Sequence, residues 1–160
     1  MSDEEALLGH VLVVDDDRGL LSIIEGILSK DYEVTLAASG PEALKVLDNR
    51  SVDLVLLDIM MPEMDGLEVC AAIKGNPVTK DLPVIFLTGM EEDDAEEKAL
   101  DAGAADFISK PIRARILESR VRLQVQNYLY LQFLEKMLRE RNTTLEILRA
   151  ETDALLKSTR

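Results

Sequence analysis

The stretch Leu54-Val55-Leu56-Leu57-Asp58-Ile59-Met60-Met61-Pro62-Glu63-Met64-Asp65-Gly66 decides how this chain is read. An unbroken apolar run followed by turn residues has the form of a buried strand that ends at Asp58. A carboxylate in that place is costly unless something offsets it. Other acidic or basic strand ends near Asp58, and a cation to hold the carboxylates together, are therefore expected.

Reading outward toward the N-terminus, His10-Val11-Leu12-Val13-Val14 is a short, β-branched, nearly all-apolar run, as expected of a central parallel strand covered on both faces. Asp15-Asp16-Asp17 follows it. Asp17 is a good N-cap for a helix whose apolar positions Leu20, Leu21, Ile24, Ile27 and Leu28 follow helical spacing. A weaker strand covers residues 32–36, and Ser39-Gly40-Pro41-Glu42 supplies cap, turn and N1 proline for a helix through about residue 48. The third strand covers residues 53–57, and a helix spans about 66–74. Toward the C-terminus, residues 82–87 read as a fourth strand, with Pro83 near its start where a missing N–H is tolerable, ending at Thr88-Gly89. Residues 91–102 form an acidic helix stopped by Gly103 in the C′ role, and residues 105–108 a fifth strand ending at Ser109-Lys110-Pro111.

Five strands alternating with helices favour an α/β sheet with right-handed crossovers. In such sheets ligands sit outside the carboxyl ends of the strands. Asp15/Asp16, Asp58, Thr88 and Lys110 end four of the five expected strands, so they converge on one site.

Composition narrows the function classes. The 160 residues suffice for one ordinary domain plus an appendage, and 47% hydrophobic with 31% charged content reads as soluble and globular. No apolar run approaches the roughly 20 residues of a membrane span. The acidic Met1-Ser2-Asp3-Glu4-Glu5 lacks the order of a signal peptide, and the single Cys70 forms no internal disulfide, so a cytoplasmic location is expected. The net charge of −13 argues against direct nucleic-acid binding. It is unevenly spread: residues 1–110 hold 8 Lys+Arg against 25 Asp+Glu, or −17, and residues 111–160 hold 10 against 6, or +4. In that second part Ile116, Leu117, Val121 and Val125 can pack on the sheet. Beyond them Leu131, Leu134, Leu138, Leu145, Leu148 and Leu155 follow a 3-4 spacing interrupted by Arg141 and Thr152. The alternatives are a two-stranded coiled coil in a homodimer, which is favoured, and a helix folded back on its own domain. The expected organisation is a flexible N-terminus at 1–8, a globular domain at 9–125 and a helical extension at 126–160.

Three carboxylates within a few ångströms repel one another, and a hard divalent cation relieves this; Mg²⁺ suits a site with few protein ligands because it keeps water and accepts phosphate oxygens. Asp58 is then a ligand only, or also a nucleophile able to form an acyl phosphate, with Lys110 as a second positive charge and the Thr88 hydroxyl as a donor. Each residue has a plainer reading: Asp15 and Asp16 as helix caps, Lys110 as an ion-pair partner of Asp58, Asp65-Gly66 as turn chemistry, Cys70 as a packed small hydrophobe and His10 as a strand-edge residue.

These residues resemble a known family. Val13-Val14-Asp15-Asp16, the stretch 56–66, Phe86-Leu87-Thr88-Gly89 and Ser109-Lys110-Pro111 are similar, in order and spacing, to the response-regulator receiver domain of two-component signalling, of the chemotaxis-regulator type. The resemblance covers about residues 9–125. It implies a flavodoxin-like, doubly wound, five-stranded parallel sheet of order 2-1-3-4-5, here followed by a long C-terminal helix; that order comes with the resemblance and not from the periodicity of the chain. It further implies that Asp58 is the phosphoacceptor, charged by a sensor histidine kinase, a histidine phosphotransfer protein or a small phosphodonor. Asp16 and Asp58 would bind Mg²⁺ directly with the Met60 backbone carbonyl, and Asp15 mainly through water. Thr88 and Lys110 would contact the phosphoryl group, the Lys110-Pro111 bond would be cis, and the family's aromatic switch falls on Phe107, which lacks a hydroxyl. The side chains of Met60 and Met90 would flank the water path to the acyl phosphate and slow its hydrolysis. Receivers of this kind often precede diguanylate cyclase or phosphodiesterase domains through a similar helix, so the chain is expected to be a complete regulator or a fragment of one. The rivals are a metal-dependent aspartyl-phosphate phosphohydrolase, disfavoured because Met60 stands where a second acid/base is needed, and a phosphorylation-independent coiled-coil scaffold. A receiver is a phosphoacceptor assisting only its own phosphorylation and dephosphorylation, not a turnover enzyme.

Overall fold

The computed structural model describes residues 6–89 and 94–159. Their elements alternate strand and helix: β1 His10–Val14, α1 Arg18–Leu28, β2 Glu33–Ala37, α2 Gly40–Asn49, β3 Leu54–Asp58, α3 Gly66–Gly75, β4 Val84–Thr88, α4 Ala95–Asp101, β5 Asp106–Ser109 and α5 Ala114–Ser158. The five strands form one all-parallel sheet of order β2-β1-β3-β4-β5. This is the flavodoxin-like architecture, with a long C-terminal helix. The chain divides into two compact units, Met1–Tyr128 and Leu129–Arg160.

The apolar runs follow from burial on both faces of the sheet. Leu12, Val14, Val55, Leu57, Val84 and Phe86 enter one core with residues of α2, α3 and α4. Their neighbours Val11, Val13, Leu54, Leu56, Ile85 and Leu87 enter a second core, against α1 and against Leu117, Val121 and Val125 of α5. Alternate side chains point to opposite faces, so a strand covered twice has no polar position to spare. Tyr128 packs against the first core and lines a small cavity with Leu47, Val52 and Leu82.

Capping accounts for the helix starts. Asp17 accepts from the Leu20 N–H at the head of α1, Ser39 from Glu42 at α2, and Asp65 from Glu68 at α3. Gly103 follows α4 with φ +87°, a left-handed conformation that stops the helix. Several boundaries differ from the sequence expectation. β4 starts at Val84 rather than residue 82, because Pro83 has no N–H to give to the ladder and only its carbonyl takes part, accepting from Val55. β2, β3 and β5 begin one residue later than expected, and α4 begins at Ala95, whereas the expected start at Glu91 lies outside the described residues.

Gly66 shows how tightly the turn after β3 is closed. Its N–H donates to the Ile59 carbonyl at 2.8 Å, and a Cβ there would lie 2.2 Å from the Asp58 carbonyl oxygen and 2.8 Å from Ile59 Cα. Both obstacles are backbone, so no side-chain rotation relieves the clash. Gly66→Ala is expected to lower stability by roughly 2–4 kcal/mol, read as a fall in the denaturant midpoint with unchanged slope.

Candidate functional site

Parallel pairing brings the carboxyl ends of β1, β3, β4 and β5 to one edge. Asp58 is the last residue of β3, and Asp15 directly follows β1, where its N–H donates to the Ala37 carbonyl. Both carboxylates are buried, Asp15 completely, while Asp16 is exposed. One oxygen from each of the three lies within 4.8 Å of the others. Thr88 closes β4 and is buried, and its carbonyl accepts from the Lys110 N–H at 2.7 Å, so β4 positions the backbone that carries the lysine. The Lys110–Pro111 peptide is cis.

Lys110 supplies the positive charge inside this edge. Its Nζ lies 2.9 Å from Asp15 Oδ2 and 3.2 Å from Asp58 Oδ1. The plainer of the two readings of Lys110 from the sequence paired it with Asp58 alone; it meets both carboxylates, with the shorter contact to Asp15. Asp15 Oδ1 accepts from the Asp17 N–H, and Oδ2, although ion-paired, is a buried oxygen without an aligned hydrogen bond. Asp58 Oδ1 accepts from the Met60 N–H at 3.3 Å.

Burial is the main force raising the Asp58 pKa, from an ordinary 3.8 to about 6, and the neighbouring Asp15 charge adds to it; Lys110 and the Met60 N–H offset only part. For Lys110, burial works against the ammonium, yet Asp15 and Asp58 outweigh it and hold its proton above the usual lysine range. One ammonium against three carboxylates leaves the cluster negative. That donor set, all oxygen and partly solvent-facing, fits a hard divalent cation of the Mg²⁺ type.

Of the remaining residues singled out in the sequence, Met60 is 64% exposed beside Asp58, and Met90 lies outside the described residues. Phe107 is half-buried in β5 and lines a cavity of about 390 Å³ with Ser109, Lys110, Ile116 and Arg120. Sequence reasoning missed the neighbour of this cavity: Arg120 binds both oxygens of Asp106 at 2.7 Å, tying α5 to β5 one residue before Phe107. The pair stands 14 positions apart on two elements, and no local spacing signals it. His10 also does more than occupy an edge, since its ring nitrogens meet the Ser51 carbonyl and Thr35 Oγ1 at the opposite end of the sheet.

A doubly wound parallel sheet with an acidic, lysine-closed pocket at its carboxyl edge has that pocket where sheets of this class bind their ligands. Comparison with known proteins gives the family. The response regulator receiver domain family matches residues 11–122, and the chain belongs to it, as a receiver of two-component systems. The chain is 42% identical over 127 residues to a protein of Vibrio cholerae named "Probable cyclic di-GMP phosphodiesterase", covering 79% of this chain and 29% of that one. It is 40% identical over 114 residues to the response regulator PleD of Caulobacter vibrioides, covering 71% and 25%. A CheY-like receiver domain protein of Methanospirillum hungatei superposes with a TM-score of 0.71 at 29% identity, over 78% of this chain and 98% of that one. The chain thus spans between a quarter and a third of these two curated relatives. Domains of this family bind Mg²⁺ at an acidic pocket and interact with histidine kinases or phosphotransfer proteins. Among the described residues no helix is long and apolar enough to cross a membrane.

The raised Asp58 pKa has a consequence for stability. The folded value lies above the unfolded one, so ionisation of Asp58 opposes folding; this cost is absent below about pH 4 and complete once pH has risen through about 6. In the metal-free chain Asp58→Asn is therefore expected to raise the melting temperature at pH 7.5 by about 4 °C or more, with the gain shrinking as pH falls toward 5. Thermal unfolding in chelator at the two pH values checks it.

Proposed function

We propose that this chain is a phosphorylation-dependent switch: Asp58 accepts a phosphoryl group from a histidine kinase or histidine phosphotransfer protein, and the signal leaves through α5, whose residues 129–158 pair two copies. The observation that carries the first half is the placement of the Lys110 ammonium between two buried carboxylates, 2.9 Å from one and 3.2 Å from the other, at an edge that Asp16 keeps open to solvent.

Asp16 and Asp58 would hold Mg²⁺ directly with the Met60 carbonyl, and Asp15 through water. The ion, when bound, neutralises charge on the phosphoryl group in transit. An Asp58 carboxylate oxygen attacks phosphorus in line, the bond from phosphorus to the donor breaks, and the donor leaves with that electron pair. With a pKa near 6 the carboxylate is already mostly ionised at neutral pH, so no base is required. Lys110 follows the charge from Asp58 to the phosphoryl oxygens, and the Thr88 hydroxyl donates to another. Phe107 sits on β5 beside Lys110, so a ring changing its burial is the available link between site and α5.

The second half rests on exposure. Leu131, Leu134, Leu138, Leu145, Leu148 and Leu155 are between 37% and 68% exposed, at a spacing that puts them on one stripe of the helix. A seam of this kind is stable in water when a second helix covers it.

Incubation with Mg²⁺ and a small phosphodonor is expected to incorporate up to one phosphoryl group per chain. Chelator or Asp58→Asn should abolish it, and Lys110→Ala should slow it by about 10²-fold. Continuous turnover of a simple phosphate ester would instead make the chain a phosphohydrolase. Light scattering, with and without a phosphoryl mimic and Mg²⁺, should give the mass of a dimer in at least one state; a monomer in both removes the coiled coil.

A further inference from the structure

The stripe on Leu129–Arg160 has one position that separates the ways two copies could pair. With Leu131 at heptad position a and Leu134 at d, Arg141 falls on d, between Leu138 and Leu145. None of the intrachain ion pairs among the described residues involves Arg141, Glu135 or Arg149, so these charges are available to a partner.

In a parallel, in-register dimer each d residue meets its own copy, which sets two Arg141 guanidinium groups in one layer. The flanking g and e positions give no acid to answer them: Met137 faces Asn142, and Thr144 faces Arg149, a further cation. In an antiparallel dimer a faces d instead. Overlapping the whole stripe then sets Leu131 against Leu155, Leu138 against Leu148 and Arg141 against Leu145, so like charges no longer meet. The e positions now face each other, and Glu135 of each copy lies beside Arg149 of the other, twice per dimer. The same overlap sets Leu134 against Thr152, so the antiparallel form has four leucine–leucine layers where the parallel form has six; what weighs against the parallel form is charge, the unanswered Arg141 pair there against the two Glu135–Arg149 pairs gained here.

We propose that residues 131–155 of two copies of this chain pair antiparallel, with Arg141 opposite Leu145 and Glu135 paired with Arg149 across the interface. This orientation rests on the dimer reading above. Arg141 is then a discriminating residue: it costs some stability in the antiparallel form and more in the parallel one. Phe133 and Ile147 lie outside the stripe, and the pairing does not explain them.

The test uses the full chain in a Cys70→Ala background carrying either Leu138→Cys or Leu148→Cys. The antiparallel form predicts that neither variant forms a covalent dimer alone under a mild oxidant, and that a mixture, exchanged before oxidation, does. Covalent dimers from each variant alone overturn the orientation and leave the dimer standing; a monomer by light scattering in both phosphorylation states overturns both. Where the thiols themselves weaken pairing, charge exchange decides. Glu135→Arg or Arg149→Glu is expected to raise the dimer Kd by about tenfold, and the double exchange to return it to the starting value. A double variant as weak as the two losses combined overturns the proposal.

Discussion

Two buried carboxylates in one pocket are the constraint on which the rest of the receiver unit depends. Asp15 and Asp58 end neighbouring strands, and removing both from water is expensive unless a cation stands between them. Lys110 provides it, and the demand runs outward from there. The lysine has to arrive from β5, which requires β5 to lie beside β4 and the Lys110 N–H to be held by the Thr88 carbonyl. The compensation is incomplete, as the raised Asp58 pKa shows, and a site left with surplus negative charge is one that favours an incoming cation and the transfer of charge away from Asp58.

Much of this is readable in the residues themselves. The strands betray themselves because burial on both faces leaves runs such as residues 11–14 and 54–57 wholly apolar, and each run breaks at the first residue that reaches the edge. Helix starts are legible where Asp17 and Ser39 precede helical spacing, since a cap is a local device. The strand order is not written in the periodicity; it comes with the family resemblance. What stays hidden is non-local. Nothing in the spacing says that Lys110 sits closer to Asp15 than to Asp58, that Arg120 grips Asp106, or that Tyr128 packs on the core opposite the one served by Val121 and Val125.

Between the pocket and α5 the described contacts form a short chain. Lys110 and Phe107 lie on or just beyond β5, Asp106 on the same strand holds Arg120, and Arg120 belongs to α5. The links are a shared cavity wall, one short strand and an ion pair. A change in what Lys110 binds is thus one short strand away from the clamp on α5, and that proximity marks where coupling can be measured.

Gly66 gives this arrangement a direction. With its backbone pressed against the Asp58 carbonyl, the main chain behind the acidic side chain has an anvil and no slack toward α3. The carboxylate meets Lys110 at 3.2 Å, so the backbone of Asp58 is bounded by Gly66 and its side chain by the lysine. A residue with no side chain at all thereby fixes how closely α3 starts to the strand that carries the acidic side chain.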